Sequence, residues 1–128
     1  MSGVVVDTSA WIEFFAGRPT ERLDHALRVG SVILSPIVVA ELLSGARRSR
    51  DREAIVELMS RLALHPTPLD HWMAVGDLRA SLGRRGLSVS TPDAHVAQCA
   101  IECDAVLLSL DAVFGRIAKM SSLRMMPD

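Results

Sequence analysis

Hydrophobic and polar positions fall along the chain in blocks of two different periods. Val4, Val5 and Val6 form an unbroken apolar run that stops at Asp7. A β-branched run with no polar alternation predicts a strand covered on both faces, as in a parallel sheet. From about Ser9 to Phe15 the pattern turns helical. Gly17-Arg18-Pro19-Thr20 predicts a turn, with Thr20 as N-cap of a helix closed by Gly30. Val32–Leu34 predicts a second short strand. Pro36 suits a first helical position and opens a helix through Glu41 to about Arg47. A helix near Asp51–Leu62, a third strand at Leu64–Pro66, and a long helix capped by Asp70 and ended by Gly86 follow. Ser90-Thr91-Pro92 starts another helix, to about Cys103, before a fourth apolar run at Ala105–Leu108. Asp111 caps a last helix to about Lys119, and Leu123–Met126 predicts a fifth strand.

Strands alternating with helices predict an α/β fold. The expectation is one domain over residues 1–128, with a central parallel sheet of about five strands and helices on both faces. No internal repeat or low-complexity tract interrupts it.

Composition narrows the class. Apolar residues make up 49% of the chain, which predicts a packed core rather than disorder. No apolar run approaches the roughly 20 residues a membrane helix needs. The start, MSGVVVDTSAW, lacks the charged region and cleavage site of a secretory signal. These features predict a soluble, cytoplasmic protein with no membrane partner. Cys99 and Cys103, four apart on one predicted helix, are not expected to form a disulfide in the cytosol. With no further Cys or His at ligand spacing they read as small core residues, not a zinc site. His25, His65 and His71 show no pairing with a nucleophile, and His95, two residues past Asp93, reads as a surface or indirectly supporting residue. The net charge of −1, from 14 basic and 15 acidic residues, does not mark a nucleic-acid binder unless the acids gather in one cleft.

The placement of four acids suggests that they do gather. Asp7 ends the first strand, and in an open α/β sheet that position lies at the rim of the ligand crevice. Glu41 has Ile37, Val38, Ser44 and Gly45 as its neighbours three and four residues away on its helix. That face is apolar and small, where an ionised carboxylate is rarely placed without a partner. Asp93 sits in the first turn of its helix, favourable to the dipole, with Val96, Ala97 and Ala100 on the same face. Asp111 follows the fourth apolar run as Asp7 follows the first; alone it would read as an N-cap. If the fourth strand lies beside the first, away from the second, both strand ends flank the topological switch point. Two unit charges 4 Å apart repel by about 4 kcal/mol at an effective dielectric of 20, so three close pairs cost on the order of 10 kcal/mol. Such a cluster survives if some members stay protonated or a cation occupies it, and oxygen ligands suit Mg²⁺ or Mn²⁺.

Asp7 in VVVDTSAW, Glu41 in SPIVVAELLSG, Asp93 in STPDAHVAQCA and Asp111 in LLSLDAVF, in that order, resemble the acidic signature of PIN-domain ribonucleases. The resemblance is nearest to the VapC toxins of bacterial and archaeal toxin–antitoxin pairs. Spacings of 34, 52 and 18 residues are similar to that family, and the match spans nearly the whole chain. Many relatives carry a further polar or acidic residue where this chain has Val113, so no fifth ligand is carried over.

The resemblance implies a metal-dependent endoribonuclease, the toxin of a VapBC-type pair, with Asp7, Glu41, Asp93 and Asp111 as catalytic residues. It implies Mg²⁺, or Mn²⁺ in its place, on Asp7, Asp93 and Asp111, with Glu41 on the attacking-water side as outer-sphere ligand or base. The expected products carry a 5′-phosphate and a 3′-hydroxyl. Thr8, Ser9 and Ser109 place hydroxyls beside the ligands, either to support them or only to cap helices. Arg84 and Arg85 are the candidate RNA-backbone contacts, and the few aromatics, 4% of the chain, argue against base stacking as the main mode. The implied partners are RNA, a VapB-like antitoxin and a second copy of the chain in a homodimer. A receiver domain needs paired acids at the first strand, and a haloacid-dehalogenase-like phosphatase needs D-x-D where this chain has Asp7-Thr8-Ser9. The remaining alternative is a catalytically inactive PIN-like module that binds RNA or protein.

Overall fold

A computed structural model describes residues 3–128. Its elements run in the order β1 (Val4–Val6), α1 (Thr8–Phe15), α2 (Glu21–Arg28), β2 (Val32–Leu34), α3 (Pro36–Gly45) and α4 (Ser49–Met59). They continue with β3 (Ala63–Leu64), α5 (Leu69–Arg84), α6 (Thr91–Glu102), β4 (Val106–Leu108), α7 (Val113–Lys119) and β5 (Arg124–Met125). The five strands form one sheet in the order β3-β2-β1-β4-β5, and every pairing is parallel. The fold is a single α/β domain, as the alternation of patterns predicts.

The all-valine strand takes the centre because it exposes no polar side chain on either face. Val4, Val5 and Val6 are all buried, with Val5 fully so. Val4 pairs with Val32 on one side and Val106 on the other. Val5 and Val6 continue the ladder opposite Leu107 and Leu108. The order therefore reverses at β1, with β2 on one flank and β4 on the other, and the ends of β1 and β4 bound the crevice. The edge strands β3 and β5 are only two residues long, shorter than the apolar pattern predicts.

Helix starts follow local chemistry. Thr20 caps α2 through a bond from the Leu23 amide (3.1 Å), and Ser90 caps α6 through one from the Asp93 amide (3.2 Å). Pro36 stands at the start of α3. Asp70 is not the cap of α5: Pro68 holds that position and Asp70 lies in the first turn, where its charge faces the helix dipole. Helix α6 packs on β1, β4, α3, α5 and α7, and its inward face buries Ala94, Ala97 and Ala100. Small residues there let the helix carrying Asp93 lie close against the two central strands.

Candidate active site

Asp7, Asp93 and Asp111 stand at the end or the start of an element, and Glu41 lies in the middle of α3. Asp7 follows β1 and is 6% exposed; its amide donates to Leu108 O (2.9 Å), locking it against the end of β4. Its Oδ2 accepts from the hydroxyls of Ser9 (2.8 Å) and Ser109 (2.9 Å) and from the Ser9 amide (3.4 Å). Ser9 and Ser109 also meet each other at 3.2 Å, and Ser9 Oγ accepts from the Leu110 amide. One carboxylate is thus gripped by hydroxyls from the first turn of α1 and the end of β4. Ser109 Oγ also accepts from the Asp111 amide (3.0 Å), while Asp111 Oδ1 accepts from Val113 N (3.0 Å) at the start of α7. Thr8 Oγ1 donates to Glu41 Oε1 (2.7 Å), joining the start of α1 to the middle of α3. The three hydroxyls do more than cap helices: each holds an acid or the turn that presents one.

Asp93 reports the convergence. Burial pushes its carboxyl above the ordinary value near 3.8; the Ser90 hydrogen bond opposes this, and the charges of Asp7, Asp111 and Glu41 raise it further. All four acids therefore share one electrostatic environment at the carboxyl ends of β1 and β4. Carboxylate oxygens are the donor type that suits a hard divalent cation, which would offset the repulsion among them.

The arginines are less integrated. Arg85 Nη1 donates to Met120 O (2.7 Å), just past α7, and Arg84 is exposed at the end of α5. Among the described residues, no hydrogen bond or ion pair ties either to the four acids.

A second polar cluster departs from the sequence expectation. His95 is fully buried rather than on the surface, and His65 does meet a thiol, Cys103 Sγ lying 3.1 Å from its Nδ1. Glu102 Oε1 lies 2.8 Å from both His65 Nε2 and His71 Nδ1. His71 Nε2 meets His95 Nδ1 at 2.7 Å, and His95 Nε2 meets Ser35 Oγ at 2.8 Å. With neutral rings one proton arrangement satisfies every contact. The carboxylate only accepts, so His71 carries its proton on Nδ1; its Nε2 then accepts from His95 Nδ1–H, and His95 Nε2 accepts from the Ser35 hydroxyl. Ser35 thus spends its hydroxyl on His95 and makes no side-chain cap to α3. These contacts join β2, the segment after β3, α5 and α6, and no spacing in the sequence announces them.

Comparison with known proteins agrees with the geometry. The PIN-domain signature matches residues 4–120. Ribonuclease VapC2 of Haemophilus influenzae is 30% identical over 110 residues, covering 82% of this chain and 83% of that protein. The fold superposes on VapBC2 from Rickettsia felis bound to a promoter DNA fragment, with a TM-score of 0.78 at 21% identity over 96% of each chain. DNA-bound VapBC from Salmonella typhimurium gives 0.78 at 24% identity, over 98% of each. With the signature running from the central strand to the end of α7, the chain belongs to the PIN-domain family.

Proposed function

We propose that this chain is a metal-dependent endoribonuclease and the toxin of a VapBC-type toxin–antitoxin pair. The observation that carries the reading is that the Asp93 carboxyl, raised chiefly by burial, also feels the charges of Asp7, Asp111 and Glu41, in a chain similar to a ribonuclease VapC2. Asp7, Asp93 and Asp111 would hold the ion, Mg²⁺ or Mn²⁺. When bound, it would supply positive charge to offset the negative charge developing on the phosphoryl oxygens and would acidify the attacking water.

The side chains do the rest. Ser9 and Ser109 fix the Asp7 carboxylate through Oδ2; restraining a ligand before it binds removes entropy loss from the binding step. Glu41, with Oε1 engaged by Thr8, accepts the proton of the attacking water at Oε2. Water attack at phosphorus then leaves a 5′-phosphate and a 3′-hydroxyl. Arg84 serves as a backbone contact, and Arg85, part of whose guanidinium is committed to Met120, is the weaker of the two. The partners are RNA, a VapB-like antitoxin and a second copy of the chain. The groove beside Glu41, lined by Ile12, Phe15, Leu42, Ala46 and Ile55, suits an apolar segment of the antitoxin, and Ile12 is 53% exposed there.

The test is cleavage of total cellular RNA by the purified chain in Mg²⁺, in Mn²⁺ and in EDTA, beside Asp7→Asn. Discrete metal-dependent fragments, lost in EDTA and lowered by at least about a hundredfold in the variant, are expected. No cleavage in either metal, with the antitoxin removed, leaves a binding module instead.

A further inference from the structure

Among the described residues, the one group of three ligand-bearing side chains whose donor atoms all lie within 4.8 Å of one another is not acidic. It is His65, His71 and Cys99. Asp93 and Glu102 stand nine positions apart on α6, about 13 Å along the helix axis, so this cluster is separate from the acidic crevice. We propose that His65, His71, Cys99 and Glu102 form a second metal site, for a borderline-soft divalent ion of the Zn²⁺ type.

Four features support it. The donors are two imidazoles, a thiol and a carboxylate, the combination that selects zinc over magnesium. Glu102 Oε1 already stands 2.8 Å from a ring nitrogen of each histidine, so three donors need little movement to share one ion. Both rings are held at their outer nitrogens, His71 by His95 (2.7 Å) and His65 by Cys103 (3.1 Å). Gln98 holds the other Glu102 oxygen at 3.0 Å. Such outer contacts are what orient metal-binding imidazoles and carboxylates. The site also has an approach: the His65 and Glu102 side chains are 11% and 26% exposed, whereas His71 and Cys99 are buried behind them.

The proton balance is definite. When the two imidazoles ligate, their protons move to the outer nitrogens. His71 then donates through Nε2 to His95 Nδ1, and His95 through Nε2 to Ser35. Burial pushes the Cys99 thiol up to about 12, so it enters the reaction protonated and gives its proton to solvent as the metal–thiolate bond forms. Thiolate and carboxylate together cancel the charge of the ion.

The test uses the full chain, stripped of metal and then kept in saturating Mg²⁺ so that the acidic crevice is not in play. One Zn²⁺ per chain is expected by elemental analysis, with about one proton released, so affinity rises about tenfold per pH unit. Co²⁺ in its place should give a thiolate charge-transfer band. Cys99→Ser should abolish that band, and His65→Gln should weaken metal binding by at least about tenfold. Cys103→Ser and Asp93→Asn should leave the band intact. No Zn²⁺ uptake in Mg²⁺, or a band that follows Cys103 rather than Cys99, overturns the proposal. So does uptake lost with Asp93→Asn, which would place the ion in the crevice. If Cys99→Ser does not fold, His65→Gln decides: unchanged zinc affinity there overturns the assignment.

Discussion

His95 shows how burial sets the chemistry of one residue and, through it, the response of the protein to acid. Burial, with smaller contributions from His71 and His65, lowers its pKa from 6.5 to about 4, against an opposing pull from Glu102. Because the folded state holds this base below its unfolded value, the stability it confers is complete above 6.5 and is lost as pH falls towards 4. One extra proton on the unfolded chain costs about 1.4 kcal/mol per pH unit across that window. Chemical denaturation at a series of pH values should show this slope, and His95→Gln should flatten it while lowering overall stability. An unchanged slope would mean that the ring is not buried neutral. Burial also raises the Glu102 carboxyl, but hydrogen bonds from His65, His71 and Gln98 outweigh it and hold the group below 4.5, so its contribution is lost only at lower pH. The four acids were legible in the sequence because Asp7, Asp93 and Asp111 follow a strand or start a helix, and Glu41 stands on an apolar and small face of its helix. His65, His71 and Cys99 were not. They come from a loop and two helices, and the packing of α5 on α6 brings them together without any periodic signal.

Element boundaries show what local chemistry decides and what it leaves to packing. Helix α5 ends where Gly86 adopts a φ of +91°, with its amide on Gly83 O and the Leu87 amide on Leu82 O (2.9 Å). A side chain at Gly86 meets no neighbour within 4 Å, so its cost is conformational alone. Gly86→Ala should destabilise by about 1–2 kcal/mol. Gly83→Ala, inside the helix and equally unobstructed, should instead stabilise by up to about 1 kcal/mol. Urea denaturation of the pair checks both signs, and a loss at both positions would mean the site tolerates no added methyl group. Caps, prolines and glycines made these ends readable. The edge strands were over-read because Leu64–Pro66 and Leu123–Met126 are apolar enough to pair, yet an edge strand pairs only as far as its single neighbour extends. Asp70 was over-read as a cap because Pro68, two residues earlier, already sets the extended backbone from which α5 starts.

For the whole molecule, the acid cluster sets stability against function. The hydroxyls on Asp7 and the tie from Thr8 to Glu41 fix two of the acids in place, so a cation bound among the four would relieve their mutual repulsion. Mg²⁺ or Mn²⁺ should raise the melting temperature, by about 3 kcal/mol of stabilisation at a hundred times the dissociation constant. Asp7→Asn should raise the metal-free melting temperature and blunt the response to metal. A melting curve indifferent to both ions would count against a clustered site. The central position of β1 carries a further consequence, for the timing of synthesis. Strand β1 precedes the strands that flank it, yet the partner that completes its crevice is β4: Ser109, 102 positions further along the chain, grips Asp7. At about 5–20 residues per second, a ribosome needs roughly 5–20 s to supply that second half. Throughout that interval the nascent chain has Asp7 without the Ser109 hydroxyl that grips it, so the crevice forms only after β4 has been made.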